Sequence, residues 1–372
     1  MPSRRSVLAV AGSALCTSAA GCTSLPRLRT PPGTDWYAPV PEPGELAPPA
    51  ATDGVVAVSG QRDGRLDDGR LVAFDVGSGE RRWQHDFGRP TGLAAADGAV
   101  YVGEKRGDRA ARVIAFDAGT GERRWTRTVD NLASAMAVAD GTLYTANGTL
   151  AALETGDGTV RWERSRVKET AFTVVAAPED QLSADPRAVY FGDENGVVAL
   201  APADGNPRWT WRPERWDWTD AGPTPAGDRV YVGGGGDVAA LDARTGTARW
   251  RTSFGRDARV SGLHETASSL LVAEGTDETP SDTFGTVYEL SLADGRERYE
   301  TRFETPIVTT ASTSETFVVV TRTGRVVWTD GASFFDRAET SVPGDGFVVG
   351  ASGRRAFLQT TGGTLWTLLP PE

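Results

Sequence analysis

The sequence predicts an all-β protein built from one repeated unit, and two observations carry this prediction. The 372 residues include 44 glycines and 22 prolines, too many for a helical bundle and without the strict period of collagen. Six short segments also align with one another without gaps, at 73–83, 115–125, 152–162, 199–209, 240–250 and 289–299. They recur roughly every 40 residues, which is the length of a four-stranded repeat unit.

Each unit is predicted to be an antiparallel β-meander. Apolar, β-branched runs bounded by Gly and Asp precede the segments, as in AVYVG at 99–103 and RVYVG at 229–233. Within a segment, an aspartate such as Asp117 ends a strand and can accept hydrogen bonds from the amides of the following turn. Gly121, four residues later, suits a turn position with positive φ. The segment therefore predicts a tight hairpin leading into the last strand of the unit.

An aromatic residue closes every segment. A large amphipathic ring on the outer strand of a unit can cover the seam to the next unit. We therefore expect a structural role for the six closing residues, Trp83, Trp125, Trp162, Trp209, Trp250 and Tyr299.

The consensus of these segments is A-x-D-x-x-T-G-x-x-x-W, matched in full by residues 115–125 and 240–250. It resembles the tryptophan-docking motif of the pyrroloquinoline quinone (PQQ) type β-propellers, a family that includes the BamB-like lipoproteins. The resemblance covers essentially the whole chain after its N-terminal segment. It implies an eight-bladed β-propeller of four-stranded antiparallel blades.

The count of units agrees with eight blades. A degenerate seventh unit runs through 317–331, and an eighth ends after its third strand, GGTLWTL at 362–368. Residues 34–40 precede the first full unit, so we expect them to supply the missing strand and Trp36 the missing aromatic. Closure by the N- and C-terminal strands in one blade removes the sheet edges that a linear array exposes. Residues 34–372 are then a single propeller domain.

The first 22 residues predict export. An arginine pair at 4–5 is followed by a mildly apolar stretch at 9–20, which is the layout of a signal peptide. The N-terminus resembles a twin-arginine (Tat) signal, and AAGC at 19–22 resembles a lipobox with Cys22 as the lipidated residue. Residues 23–33 are interpreted as a Pro-rich tether. We expect anchoring to the outer face of the cytoplasmic membrane, an ordinary cleaved signal or a retained anchor being the alternatives.

Charge and residue usage exclude several classes. The net charge is -11, so nucleic acid is not an expected partner, because phosphate binding needs a basic face. Of 39 basic residues only two are lysines, a composition that resembles proteins of salt-loving archaea. Both cysteines, Cys16 and Cys22, lie in the N-terminal segment, leaving no thiol in the body. His85 and His264 are too far apart in the sequence to form a paired metal motif, and we expect no metal site.

Two further places are candidate sites. The segment at 208–220 contains four tryptophans, of which Trp216 and Trp218 lie between units and could present their rings to a ligand or partner. The alternative is that they fill a seam between blades. Asn147 begins the sequon Asn-Gly-Thr, which predicts either N-glycosylation or an Asn-Gly hairpin turn.

Two functional classes follow. The first is a non-enzymatic, membrane-tethered propeller, monomeric and without a cofactor, that binds a protein, peptide or surface polymer. The second is a quinoprotein dehydrogenase with PQQ, calcium and an Asp base, a class that commonly carries an adjacent cysteine pair absent from this body. The docking motif has a structural role and does not indicate whether a cofactor is bound. We favour the first class.

Overall fold

The computed structural model describes residues 31–40, 48–62, 65–106, 110–129, 135–147, 149–165, 181–184, 187–193, 195–214, 216, 221–255, 258–275, 284–313, 315–329 and 337–370. The chain divides into two units, Met1–Thr30 and Pro31–Glu372, and all described residues belong to the second. They form β-strands joined by turns and short connections. No helix among them is long and apolar enough to cross a membrane.

The strands form eight four-stranded antiparallel sheets, here called blades one to eight. Strand β1 (Thr34–Pro39) belongs to blade eight. Blade one contains β2 (Ala50–Thr52), β3 (Val55–Arg62), β4 (Arg65–Asp75) and β5 (Arg81–Phe87); blade two β6 (Arg89–Ala96), β7 (Ala99–Arg106), β8 (Ala110–Asp117) and β9 (Arg123–Val129); blade three β10 (Ala135–Ala139), β11 (Thr142–Asn147), β12 (Thr149–Glu154) and β13 (Val160–Ser165); blade four β14 (Gln181–Ala184), β15 (Val189–Asp193), β16 (Gly196–Leu200) and β17 (Pro207–Trp211).

The second half repeats this order. Blade five contains β18 (Ala221–Ala226), β19 (Arg229–Gly234), β20 (Asp237–Asp242) and β21 (Ala248–Ser253); blade six β22 (Val260–Glu265), β23 (Ser269–Glu274), β24 (Gly285–Ser291) and β25 (Glu297–Phe303); blade seven β26 (Ile307–Ser312), β27 (Phe317–Thr321), β28 (Arg325–Thr329) and β29 (Arg337–Ser341); blade eight β30 (Phe347–Ser352), β31 (Arg355–Thr360), β32 (Thr364–Leu368) and β1.

The first strand in each blade is the innermost. Each innermost strand contacts the innermost strands of both neighbouring blades, and β2 contacts β6 on one side and β30 on the other. The ring is therefore closed. The predicted fold, an eight-bladed β-propeller, is confirmed.

Blade eight combines the two ends of the chain, as predicted. Strand β1 pairs with β32, with Trp36 opposite Thr367 and Tyr37 opposite Trp366. Beyond the strands, the amide of Leu369 donates to the carbonyl of Gly33 at 2.8 Å. The N-terminal strand therefore completes the sheet that the C-terminal strands leave one strand short.

The apolar core lies in the seams between blades. In the first seam, Leu71 and Trp83 of blade one pack with Val100 and Ile114 of blade two, each less than a tenth exposed. Alternate residues of a strand point to opposite faces of its blade, so every blade contributes side chains to two seams. The side chains packed between adjacent blades therefore determine the stability of the ring.

Candidate functional site

Blades two to five share a row of four residues paired across their strands, here called the docking row. In blade two it comprises Ala94, Tyr101, Ala115 and Trp125. Paired residues on neighbouring strands project from the same face, so the alanine leaves room for the indole beside it. The Tyr101 and Trp125 rings lie 5.9 Å apart between centroids. The same pair recurs as Tyr144–Trp162, Tyr190–Trp209 and Tyr231–Trp250, at 6.0, 5.9 and 5.9 Å.

Each tryptophan of this kind makes a docking contact, defined by an indole hydrogen bond to a turn carbonyl of the next blade. Trp125 Nε1 donates to Thr155 O at 2.8 Å. Five other rings donate in the same way at 2.8 to 3.0 Å: Trp36 to Val76, Trp83 to Ala118, Trp162 to Pro202, Trp209 to Ala243 and Trp250 to Leu292. Six of the eight seams are thus bridged by an indole, including the seam between blades eight and one.

The turn glycine receives the ring. Gly121 has a φ of 74°, and a Cβ built on it would lie 2.5 Å from Cγ of Trp83. Both the left-handed backbone and the ring therefore require glycine at this position.

We expect Gly121→Ala to destabilise the protein more than Gly54→Ala. Gly54 has nearly the same φ, 73°, but nothing within 4 Å of a built Cβ. The Gly54 variant then carries only the backbone strain, about 1 kcal/mol, and the difference between the two variants in denaturant midpoint isolates the ring contact. Equal midpoints would contradict a tight ring-to-glycine contact.

An arginine precedes the closing aromatic in every repeat, and sequence reasoning did not assign it a role. In blade two, Asp117 accepts hydrogen bonds from the amides of Gly119 and Thr120 and pairs with Arg124 at 2.8 Å. The Arg124 guanidinium, with the Thr120 amide, lowers the pKa of the Asp117 carboxyl to about 2. Equivalent ion pairs are Asp75–Arg82, Glu154–Arg161 and Asp242–Arg249. The arginine directly before each aromatic was the signal that could have predicted them.

Blade six changes the docking row. Its members are His264, Leu271, Glu289 and Tyr299. Glu289, only 5% exposed, stands where other blades have alanine and accepts a hydrogen bond from Ser269 Oγ at 2.9 Å. The Tyr299 side chain, expected from its spacing to act like the tryptophans, is 54% exposed instead. Tyr299 is exposed for two physical reasons. Glu289 is larger than the alanine that leaves room for the ring in blades two to five, and the seventh unit has no A-x-D-x-x-T-G segment whose turn could receive the ring.

The exposed ring belongs to a surface that we call the β25 rim, defined by Tyr299, Phe303, Arg325 and Glu339. Tyr299 and Phe303 are four residues apart on β25, so they project from the same face of blade six. The Arg325 guanidinium carbon lies 5.4 Å from the centroid of the Phe303 ring, and Arg325 pairs with Glu339 of β29 at 2.6 Å. The phenol of Tyr299 is thus exposed on the outermost strand of blade six, and Arg325 covers the buried Phe303 ring in the same seam.

The seam between blades seven and eight is also built differently. Trp328 of β28 pairs with Ala338 of β29, so the large residue is on the third strand and the small one on the fourth, the reverse of Ala115 and Trp125. Trp328 and Trp366 are each 1% exposed in one apolar cluster. Neither indole N–H has an acceptor among the described residues. Blade seven therefore lies between the two seams in which the described residues form no docking contact.

The tryptophan-rich segment contributes to a seam. Trp216 is 7% exposed, contacts the Trp211 ring edge-on at 4.9 Å, and has the Arg251 guanidinium 5.7 Å from its centroid. Of the two possibilities for Trp216, the structure shows a ring that fills a seam and not one presented to a partner, because packing against the neighbouring blade buries it. Trp218 lies outside the described residues.

The other candidate modifications stay predictions. Asn147 ends β11, and its backbone pairs with Thr149 of β12, which places the sequon at a hairpin. Cys22 lies outside the described residues.

The innermost strands offer few groups to a charged cofactor. Their ionisable side chains, within the described part of the chain, are those of Arg89, His264 and Glu265. Glu265 accepts a hydrogen bond from the Tyr231 hydroxyl. Within the described ranges, no group of three His, Cys, Asp or Glu side chains could hold a metal ion. Calcium takes about six to eight oxygen ligands, which backbone and amide carbonyls and water can also supply.

The repeated docking geometry has a counterpart among known families. The family model described as outer membrane protein assembly factor BamB matches residues 67–212, 194–279 and 234–369. The chain belongs to the BamB family.

Individual relatives are more distant. BamB of Yersinia pestis is 27% identical over 212 residues, 50% of this chain and 53% of that relative, so the match spans about half of the relative's length. The crystal structure of BamB from Moraxella catarrhalis superposes with a TM-score of 0.68 at 18% identity, covering 90% of this chain and 99% of the other. Quinohemoprotein alcohol dehydrogenase from Comamonas testosteroni superposes with a TM-score of 0.64 at 16% identity, covering 91% of this chain and 76% of the other. At these identities the two solved structures establish the fold alone.

Proposed function

We propose that this BamB-family propeller is a non-enzymatic scaffold that binds a protein partner outside the cytoplasm, tethered to the membrane through a lipid on Cys22. The observation that carries the proposal is the β25 rim. Six seams hold their closing aromatic in a docking contact, whereas the seam between blades six and seven displays Tyr299 at its edge. The family membership supports a protein partner, since its relatives are named for protein assembly.

The chemistry of the rim suits protein recognition. Tyrosine and arginine are enriched at the energetic centres of protein interfaces, where a rigid ring and a multidentate cation provide contact area and hydrogen bonds. The β25 rim displays Tyr299 on the outermost strand of a sheet, four residues from Phe303, over whose ring the Arg325 guanidinium lies. Because the ring of blades holds this strand in place, binding requires little ordering of the scaffold.

The test compares Tyr299→Ala with Tyr37→Ala, two exposed tyrosines of the propeller at 54% and 48%. Each variant serves as bait in a pull-down from the native membrane at high salt. We expect Tyr299→Ala to lose the partner while its stability changes by less than about 1 kcal/mol, as for most exposed substitutions. Tyr37→Ala should retain the partner. Full partner recovery with Tyr299→Ala would place the interface elsewhere.

A quinoprotein dehydrogenase is the second candidate, favoured by the shared fold with the Comamonas enzyme. Titration of the purified protein with PQQ and calcium, followed by tryptophan fluorescence, separates the two candidates. We expect no saturable change, since no group of three His, Cys, Asp or Glu side chains within the described ranges could hold a metal ion. Stoichiometric binding would favour the enzyme.

Anchoring is tested by Cys22→Ser with Cys16→Ser as the matched control. If Cys22 carries the lipid, Cys22→Ser should release the protein into the medium, whereas Cys16→Ser should leave it in the membrane fraction. Equal membrane retention of the two variants would contradict lipidation of Cys22.

A further inference from the structure

We propose that the seam between blades six and seven is an acid-sensitive gate, in which protonation of His264 separates β22 from β26 while the other seams stay closed. The inference goes beyond the scaffold function, because it concerns how the ring responds to pH rather than what it binds. It rests on the position of His264, on the groups around it, and on the fact that the described residues of this seam form no indole docking contact.

His264 is itself a contact between the two blades. It lies on the innermost strand of blade six and is 7% exposed. Its ring is parallel to that of Phe317 in blade seven, with an interplanar angle of 2° and centroids 5.6 Å apart. Its Nδ1 lies 2.7 Å from Oγ of Ser312, also in blade seven. Any change that disfavours burial of this imidazole therefore acts directly on the seam.

The groups packed around the imidazole provide no described ion pair. From blade seven it meets the Phe317 ring and the Ser312 hydroxyl, and Glu315, in the turn between them, is exposed. Within blade six its paired neighbour is Leu271.

The carboxylates of blade six are directed to other partners. Glu289, two strands further along the docking row, accepts from Ser269. Glu265, the next residue on β22, accepts from Tyr231 of blade five. Burial therefore acts unopposed and lowers the pKa of His264 to about 4.

Acid then favours the open seam. An exposed histidine has a pKa near 6.5, so between pH 6.5 and pH 4 the opened state binds a proton that the closed state does not. Over this range the opening equilibrium rises by about 80-fold, and across the whole titration by about 300-fold. Six other seams hold an indole docking contact, whereas the described side-chain hydrogen bonds between β22 and β26 are that of Thr310 Oγ1 to Ser261 O at 2.9 Å and the one between His264 and Ser312.

The chain contains a natural comparison in His85, its other histidine. His85 also stacks on a phenylalanine of the next blade, Phe116, with centroids 4.5 Å apart. Its Nε2 donates to the carbonyl of Gly121 at 2.7 Å, a bond that the protonated ring keeps. The Trp83 docking contact bridges the same seam. We therefore expect acid to open the His264 seam and not the His85 seam.

The experiment places a single thiol in a seam and measures its reaction with 2,2′-dithiodipyridine at pH 7.5 and 4.5. Both native cysteines are replaced in the full chain by Cys16→Ser and Cys22→Ser. Ala273→Cys reports on the His264 seam, and Ala99→Cys, equally buried at 0% exposed, reports on a seam with a docking contact. Rates are divided by those of a short unstructured cysteine peptide at each pH.

We expect the corrected rate of the Ala273→Cys variant to rise about 70-fold on acidification, as the two pKa values require, and that of the Ala99→Cys variant to stay within a few-fold. Adding His264→Gln, which is uncharged and can still hydrogen-bond Ser312, should abolish the rise. Equal rises in both thiol variants, or a rise that survives His264→Gln, would overturn the proposal.

A second measurement does not depend on the folding of that variant. The chain has two histidines, so His85→Gln identifies the imidazole signals of His264 in the NMR spectrum. A His264 signal that titrates near pH 4 supports the gate, whereas titration near pH 6.5 overturns it.

Discussion

Deleting residues 34–40 should destabilise the propeller more than any single substitution considered above. The deletion removes the outer strand of blade eight, and with it the Trp36 docking contact to Val76 and the Asp35–Arg355 ion pair. Loss of the tryptophan alone should cost about 3 to 5 kcal/mol. The exposed edge of β32 can then pair with another chain, so we also expect concentration-dependent association. Denaturant midpoints and size-exclusion chromatography measure the two effects.

The control deletes residues 23–30, which precede the first described residue and leave Gly33 in place to accept from Leu369. Its midpoint should match that of the wild type. Similar losses in the two deletions would show that strand β1 does not close the ring in solution.

Trp125→Ala should lower the free energy of unfolding by about 3 to 5 kcal/mol. The ring is 8% exposed, packs against Tyr101, and donates to Thr155 of the next blade. Truncation therefore opens a cavity at the seam and leaves the carbonyl without its indole donor. Urea unfolding followed by circular dichroism reports the change.

Two matched variants separate the parts of this effect. Trp125→Phe keeps most of the buried area but loses the hydrogen bond, so we expect a smaller loss of about 1 to 2 kcal/mol. Tyr299→Ala occupies the corresponding position of blade six and should cost less than about 1 kcal/mol, because its side chain is exposed. A larger loss for Tyr299→Ala than for Trp125→Ala would reverse the buried and exposed roles of the two rings.

The repeats made the ring predictable from the sequence. Segments such as 115–125 and 240–250 combine an aspartate, a turn glycine and a tryptophan at fixed spacing, and each of these has a local physical role. The shortage of one strand after residue 368 and the spare tryptophan at position 36 then predicted closure by both termini. Local patterns sufficed because each blade repeats the same hairpins.

The departures from the repeat were harder to predict. Tyr299 looked like a conservative replacement of tryptophan, but its environment depends on Glu289, ten residues earlier, and on the next unit along the chain. The burial of the Trp216 ring likewise depends on contacts with the neighbouring blade. Spacing within one unit does not reveal contacts between units, which decide whether a ring is buried or displayed.

The hydrogen bond between Leu369 and Gly33 places the two ends of the propeller domain next to each other. The same ring of blades could therefore be built from a chain that starts at another point of the ring. A short peptide linking residue 370 to residue 31 would join two ends that already share a hydrogen bond. The chain could then be opened at an exposed hairpin such as Asp140–Gly141 without changing the register of any strand. In topological terms the eight blades form a cycle, and the present ends of the chain mark one of several equivalent cuts in it.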